Sequence, residues 1–266
     1  MSRSSCIQRA KSLSLIFLGI TSQAALAQAI PTTLRLNSVS ELPITGLENP
    51  NAKLNLISIV GGKGIQNYQG ESKNFLARTI NVFASREINV YLFPNASNTT
   101  KATYPNRTSN ARLKRLKALV SALKDRNNLP VFLAGFSRGS VDSVSYLTKH
   151  PNTAEGVAII SGIYSNDSNR ANEFSLELLT QDAIEAKALI VHHLKDSCLV
   201  SDPKYAKIFY ANLRSPSKSS LFYEDGIGEG KDCGPYNYHG YFGIEGQVAN
   251  EISSWLVEQV LHQTKQ

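Results

Sequence analysis

The sequence predicts an α/β protein with a mostly parallel sheet and helices on both of its faces. Three observations lead there. Short, wholly apolar runs such as Val131-Phe132-Leu133-Ala134 read as strands buried on both faces. Stretches with apolar residues at three- and fourfold spacing lie between those runs. Turn residues separate the two kinds of segment, so strands and helices alternate along most of the chain.

Taken in order, residues 32–43 carry a faint edge-strand pattern, and 54–60 form a strand that stops at Gly61-Gly62-Lys63-Gly64. A helix over 74–85 and a strand over 88–93, ended by Pro94, follow. Residues 96–110 are rich in Asn, Ser and Thr and read as a loop. Ser109 or Asn110 caps the next helix, where Leu113, Leu116, Val120 and Leu123 share one face. Arg112, Lys114, Arg115, Lys117 and Lys124 are read as its solvated face. The strand at 131–134 leads into a helix over 138–149, closed by His150-Pro151. Strands at 157–160, 188–192 and 220–223 complete the sheet. A polar, partly helical insert spans 163–187, and the last helix runs from Ile244 with Val248, Ile252, Leu256 and Val260 at fourfold spacing.

The chain's 266 residues suffice for one large core, assigned to a single domain over 30–266. Residues 1–29 read as a cleaved signal peptide. Arg3, Arg9 and Lys11 form a basic start, residues 13–20 a short apolar stretch, and Ala27-Gln28-Ala29 a small-residue cleavage site before Ile30. The apolar stretch is far below the ~20 residues a membrane-spanning helix needs. The expectation is therefore export to the periplasm or the exterior, with no stable membrane insertion once the leader is gone. Cleavage removes three positive charges and no negative one, so the formal charge falls from +7 to +4. That mild excess, without a basic stripe or a nucleic-acid motif, argues against nucleic-acid binding. No cofactor is implied. His192 and His193 are adjacent on a strand, point to opposite faces, and make a poor pair of metal ligands.

Gly135-Phe136-Ser137-Arg138-Gly139 is a G-x-S-x-G sequence with a buried strand before it and a helix after it. In that setting the turn forces the serine into a strained conformation that exposes its hydroxyl, and side chains on the flanking glycines would clash. A serine hydroxyl needs a neighbouring base to attack a carbonyl at neutral pH. Of His150, His192, His193, His239 and His262, only His239 lies after the last strand and just before the last helix. Asp196, just past the strand that ends in His192-His193, is the acid that would orient the imidazole. Asp202 lies further on, before Pro203, and better suits a helix cap. Two donors are expected for an oxyanion: the Arg138 N–H, and one from the loop after the first buried strand, with Gly62 and Lys63 both open as its source.

Gly61-Gly62-Lys63-Gly64, GFSRG, Asp196 and His239 resemble, in order and spacing, the α/β-hydrolase superfamily across nearly all of residues 30–266. Asn74-Phe75-Leu76-Ala77-Arg78, Lys195-Asp196-Ser197-Cys198, and Cys233-Gly234-Pro235 before Tyr238-His239-Gly240 narrow the resemblance to exported bacterial members of undefined substrate. No histidine precedes Gly61-Gly62, a departure from the lipase-type oxyanion loop. The resemblance implies a three-layer α/β-hydrolase fold and a Ser137–His239–Asp196 triad. It also brings the acid and base loops together, so Cys198 and Cys233, the two cysteines left after cleavage, would pair as a disulfide. Arg138 opposes the dipole of the helix it begins and is expected to meet an internal carboxylate, or else an anionic substrate group. The leading function is hydrolysis of a small-molecule carboxylic ester through an acyl-enzyme. A peptide or amide hydrolase of the prolyl-oligopeptidase kind would bring a propeller or large lid, for which 266 residues leave no room. A silent binding protein on this fold would not need all three triad residues.

Overall fold

Strand segments buried on both faces dominate the middle of the chain, and their alternation sets the layers. A computed structural model describes residues 28–36 and 41–262. Except for Gln28 and Ala29, the leader assigned to residues 1–29 lies outside the described residues.

Eight strands form one sheet: β1 (Ile30–Leu34), β2 (Ile44–Glu48), β3 (Leu54–Ile59), β4 (Ile88–Leu92), β5 (Val131–Phe136), β6 (Gly156–Ile160), β7 (Lys187–His193) and β8 (Lys218–Tyr223). Their order is β1-β2-β4-β3-β5-β6-β7-β8. β1 pairs with β2, and β2 with β4, antiparallel; every other pairing is parallel. The helices are α1 (Phe75–Arg78), α2 (Ile80–Ala84), α3 (Tyr104–Thr108), α4 (Asn110–Asn127), α5 (Gly139–Lys149), α6 (Leu176–Thr180), α7 (Pro203–Asn212) and α8 (Glu245–Leu261).

Side chains of a strand alternate between faces, and here each face has its own apolar layer. Ile57, Ile59, Leu133 and Ile159 pack with Leu116 and Leu123 of α4, Val144 of α5 and Phe209 of α7. Leu54, Leu56, Phe132 and Ala158 face the other way, against Phe75 of α1, Phe83 of α2, and Ile252 and Leu256 of α8. The architecture is the expected one: three layers, with a mostly parallel sheet between helices. Among the described residues no helix is long and apolar enough to cross a membrane.

Four local readings need correction. The helix expected over 74–85 is two short ones that meet at Thr79, whose hydroxyl donates to the Phe75 carbonyl at 2.8 Å. The stretch read as loop over 96–110 contains α3, opened by the cap Thr103. Its one buried residue is Arg107, so it has no apolar periodicity to reveal it. β2 escaped notice because it is a five-residue strand carrying a central glycine, Gly46. Arg112 and Arg115 do not lie on a solvated face. Both are buried, because α4 turns them to Pro94 and Asn95 just past β4, and Arg112 also to Asp142, and not to water. Asp202 caps α7, accepting from the Lys204 N–H at 2.7 Å.

Candidate active site

Ser137 stands where β5 ends and α5 begins, with φ +50°. A non-glycine residue in that left-handed region is strained, so the surroundings must hold it. They do so with hydrogen bonds: Ser137 N–H donates to the Ile160 carbonyl at 2.8 Å. The Ser137 carbonyl accepts from the Ser140 N–H at 2.9 Å and the Ser140 hydroxyl at 2.6 Å. The flanking glycines are required by close approach. A Cβ on Gly135 would stand 2.7 Å from the Gly139 carbonyl oxygen, and one on Gly139 would strike that of Ile59.

His239 lies in a single 3₁₀ turn (Tyr238–Gly240) opened by Asn237, whose side chain accepts from the Tyr238 N–H. Its Nδ1 is 2.8 Å from Asp196 Oδ2, and both side chains are almost wholly buried. A carboxylate can only accept here, so Nδ1 carries the proton and Nε2 is left as the basic nitrogen. The Phe136 ring packs edge-on to His239 with centroids 5.1 Å apart. Ser161, the residue after β6, donates its hydroxyl to the His239 carbonyl at 3.1 Å. Ser137 and His239 are thus each hydrogen-bonded to one of two consecutive residues, Ile160 and Ser161, at the end of β6. Among the described residues the Ser137 hydroxyl has no hydrogen-bond partner of its own.

Asp196 follows β7. Its Oδ1 accepts from the Cys198 N–H at 2.9 Å, and His192 Nε2 lies 3.4 Å from Oδ2. Burial alone would raise the Asp196 pKa, but the neighbouring His239 and His192 outweigh it and hold the carboxyl well below its ordinary value. The two strand histidines go separate ways, as expected. His192 Nε2 meets the Ser201 carbonyl at 2.9 Å and His193 Nε2 meets the Asp225 carbonyl at 2.6 Å. Because a carbonyl only accepts, both rings carry their proton on Nε2.

Cys198 and Cys233 form a disulfide, which ties the loop of Asp196 to the loop that leads to His239. Beside it, the Ser197 hydroxyl donates to Asp232 at 2.7 Å. Arg78 also fastens the His239 loop, donating to the carbonyls of Pro235 at 2.7 Å and Gly240 at 2.9 Å and pairing with Glu245.

The glycine loop after β3 reaches Ser137: a Cβ on Gly61 would stand 2.9 Å from Ser137 Cβ. The Gly64 N–H closes a turn onto the Gly61 carbonyl at 3.0 Å. Backbone N–H groups of Gly62, Lys63 and Arg138 have no partner within the described residues, so all three remain available as donors. The Arg138 side chain does not meet the internal carboxylate expected of it. Among the described residues it makes no ion pair, and its guanidinium lies over the Tyr104 ring, 5.8 Å from the centroid. The carboxylate in this region is Asp142, one turn into α5, and it is taken by Arg107 and Arg112. Sequence reading passed over Arg107 and Asp142 and put Arg112 on a solvated face. The signal available was an aspartate in the first turn of a helix whose neighbours are otherwise buried.

No family model matches the chain, and no curated protein matches it. Solved structures do. A sugar hydrolase from Lactococcus lactis superposes with a TM-score of 0.63 at 17% identity, over 88% of this chain and 99% of that one. A dienelactone hydrolase from Anabaena variabilis gives 0.59 at 13%, over 88% and 99%. An esterase from Pyrococcus furiosus gives 0.61 at 12%, over 87% and 93%. With the strand order above, these likenesses establish that the chain has the α/β-hydrolase fold.

Proposed function

We propose that this protein is a serine hydrolase that cleaves a small-molecule carboxylic ester through an acyl-enzyme. The observation that carries the reading is the 2.8 Å contact of His239 Nδ1 with buried Asp196, on the same rim as a serine held at φ +50°. The hydrolase and esterase names of the structural neighbours agree with it. In the first step Ser137 Oγ bonds to the ester carbonyl carbon while its proton passes to His239 Nε2. The tetrahedral oxyanion collapses, the alcohol leaves with that proton, and the acyl group stays on Ser137. Water then repeats the sequence, giving up a proton to His239, and releases the acid. Asp196 keeps the imidazole in its Nδ1–H form and stabilises the cation formed in each half. The Arg138 N–H and one N–H of the glycine loop receive the oxyanion.

The test is labelling with a fluorophosphonate and turnover of aryl esters, thioesters and peptides by residues 30–266. Ser137→Ala should lose labelling and ester turnover, the latter on the order of 10⁵–10⁶-fold. Unchanged labelling would remove Ser137 from the mechanism. The same reading places the protein outside the cytoplasm, supported by the leader pattern of residues 1–29 and by the Cys198–Cys233 bridge. Protein recovered from the exporting cell should begin at Ile30, and recovery with Met1 intact would refute cleavage.

A further inference from the structure

Arg107 is the largest of the fully buried side chains, and a buried charge must be matched by partners. Its own are distributed tellingly. One terminal nitrogen pairs with Asp142 of α5, the helix that begins just after Ser137. The other donates to the carbonyls of Val60 at 3.1 Å and Gly62 at 3.3 Å, both at the glycine loop. Nε donates to the Ala102 carbonyl at 3.1 Å. The loop's next carbonyl, that of Lys63, accepts from the Asn95 side chain at 2.8 Å and from the Ala102 N–H at 3.0 Å. Asn95 is in turn fixed by Arg112, the second cation on Asp142.

The C=O and N–H of a trans peptide point in opposite directions. Holding the Gly62 carbonyl against a buried guanidinium therefore turns the Lys63 N–H outward, to the open side of the loop, and that N–H has no partner within the described residues. Two guanidinium groups share the carboxylate of Asp142, so among the described residues the cluster that these three side chains form beneath the loop has a formal charge of +1. Its field favours negative charge above the loop, and the low dielectric of the interior strengthens it.

We propose that Arg107 is a positioning residue for hydrolysis. Anchored on Asp142 of the nucleophile's own helix, it locks the glycine loop in register with Ser137 and presents the Lys63 N–H to the oxyanion. This inference rests on the proposed esterase reading. Burial of Arg107 lowers its pKa to about 10, Asp142 pulling it back up and Arg112 adding to the fall. The group stays charged at neutral pH.

The test compares Arg107→Met and Arg107→Lys with the parent protein, all titrated to completion at Ser137 with a fluorophosphonate. Turnover is expressed per titrated site, because a purely structural defect reduces the number of sites and leaves the turnover of each unchanged. Arg107→Met should lower kcat per site by about 10–100-fold with KM within about twofold, less than the ~10²–10³ lost when an oxyanion donor is removed outright. Affinity for a trifluoromethyl ketone, which forms the oxyanion, should fall in parallel with kcat. Arg107→Lys, able to hold Asp142 and one carbonyl, should recover part of the loss. Wild-type turnover per site in folded Arg107→Met would overturn the proposal. Should neither variant fold, amide NMR of the unaltered protein decides: on adding the ketone the Lys63 amide proton should move downfield. Movement at Gly62 with none at Lys63 would overturn it. Failure of the parent protein to label at Ser137 would instead defeat the esterase reading.

Discussion

The two halves of the candidate site are held by different means. On the Ser137 side the holding is done by regular structure and buried charge. The serine occupies a strand-to-helix junction, and the glycine loop rests on the Arg107–Asp142–Arg112 cluster. On the His239 side the chain between β8 and α8 is a long loop in which residues 224–233 are all exposed. There the fixing comes from cross-links: a disulfide, the Arg78 fork onto Pro235 and Gly240, and the Ser161 hydroxyl. Where strands deliver a group, backbone geometry places it. Where a loop delivers it, distant contacts must replace that geometry, since each ordered loop residue costs about 1–2 kcal/mol of backbone entropy.

This contrast can be pressed in three ways. Asp196→Asn should have the largest effect. It keeps the shape of the acid but removes the charge that selects the Nδ1–H imidazole, and kcat should fall on the order of 10⁴-fold. Ester kinetics with KM held within a few-fold would be the expected record, and a loss below tenfold would mean that the imidazole is oriented by the loop alone. Next comes the cross-link. Replacing Cys198 and Cys233 together with serine opens a loop with a sequence separation of 35. Urea unfolding should report a loss of about 3–4 kcal/mol. The Cys198 N–H holds Asp196 Oδ1, so kcat should drop as well, by about tenfold or more. The same reduction in stability with kcat untouched would reduce the bridge to a general staple and break the comparison.

The smallest effect is on acid stability. The Asp196 pKa is depressed in the folded protein, so the unfolded chain binds the proton first. Its contribution is complete above the unfolded value of about 3.9 and is lost as pH falls through that value toward the folded one. The slope of unfolding free energy against pH below about 4 should therefore be shallower in Asp196→Asn, by up to ~1.4 kcal/mol per pH unit. Identical slopes would mean that Asp196 takes up its proton at the same pH folded and unfolded.

What was legible beforehand follows the same division. Ser137 sits in a five-residue motif between a buried strand and a helix, a purely local pattern. Asp196 and His239 were found from chain order relative to strands, and they lie 2.8 Å apart. Arg107 and Asp142 were passed over, and Arg112 was read as solvated, because a charged residue on a helix carries no periodic signal of burial. α3, whose buried residue is an arginine, was missed for that reason. Arg138 shows the converse error: the rule that a half-buried cation seeks a carboxylate selected the wrong arginine, and an aromatic ring lies under it instead.

The amino-acid order alone determined the layered sheet and the turn at Ser137, and it singled out Asp196 and His239, since hydrophobic period and turn chemistry act over a few residues. Tertiary structure alone decided which cations reach Asp142, where the glycine loop's carbonyls point and how the exposed loop before His239 is tied down. Those outcomes depend on which helices meet beneath the sheet's rim. A buried charge finds its partner across space, and neighbours along the chain carry no record of that choice.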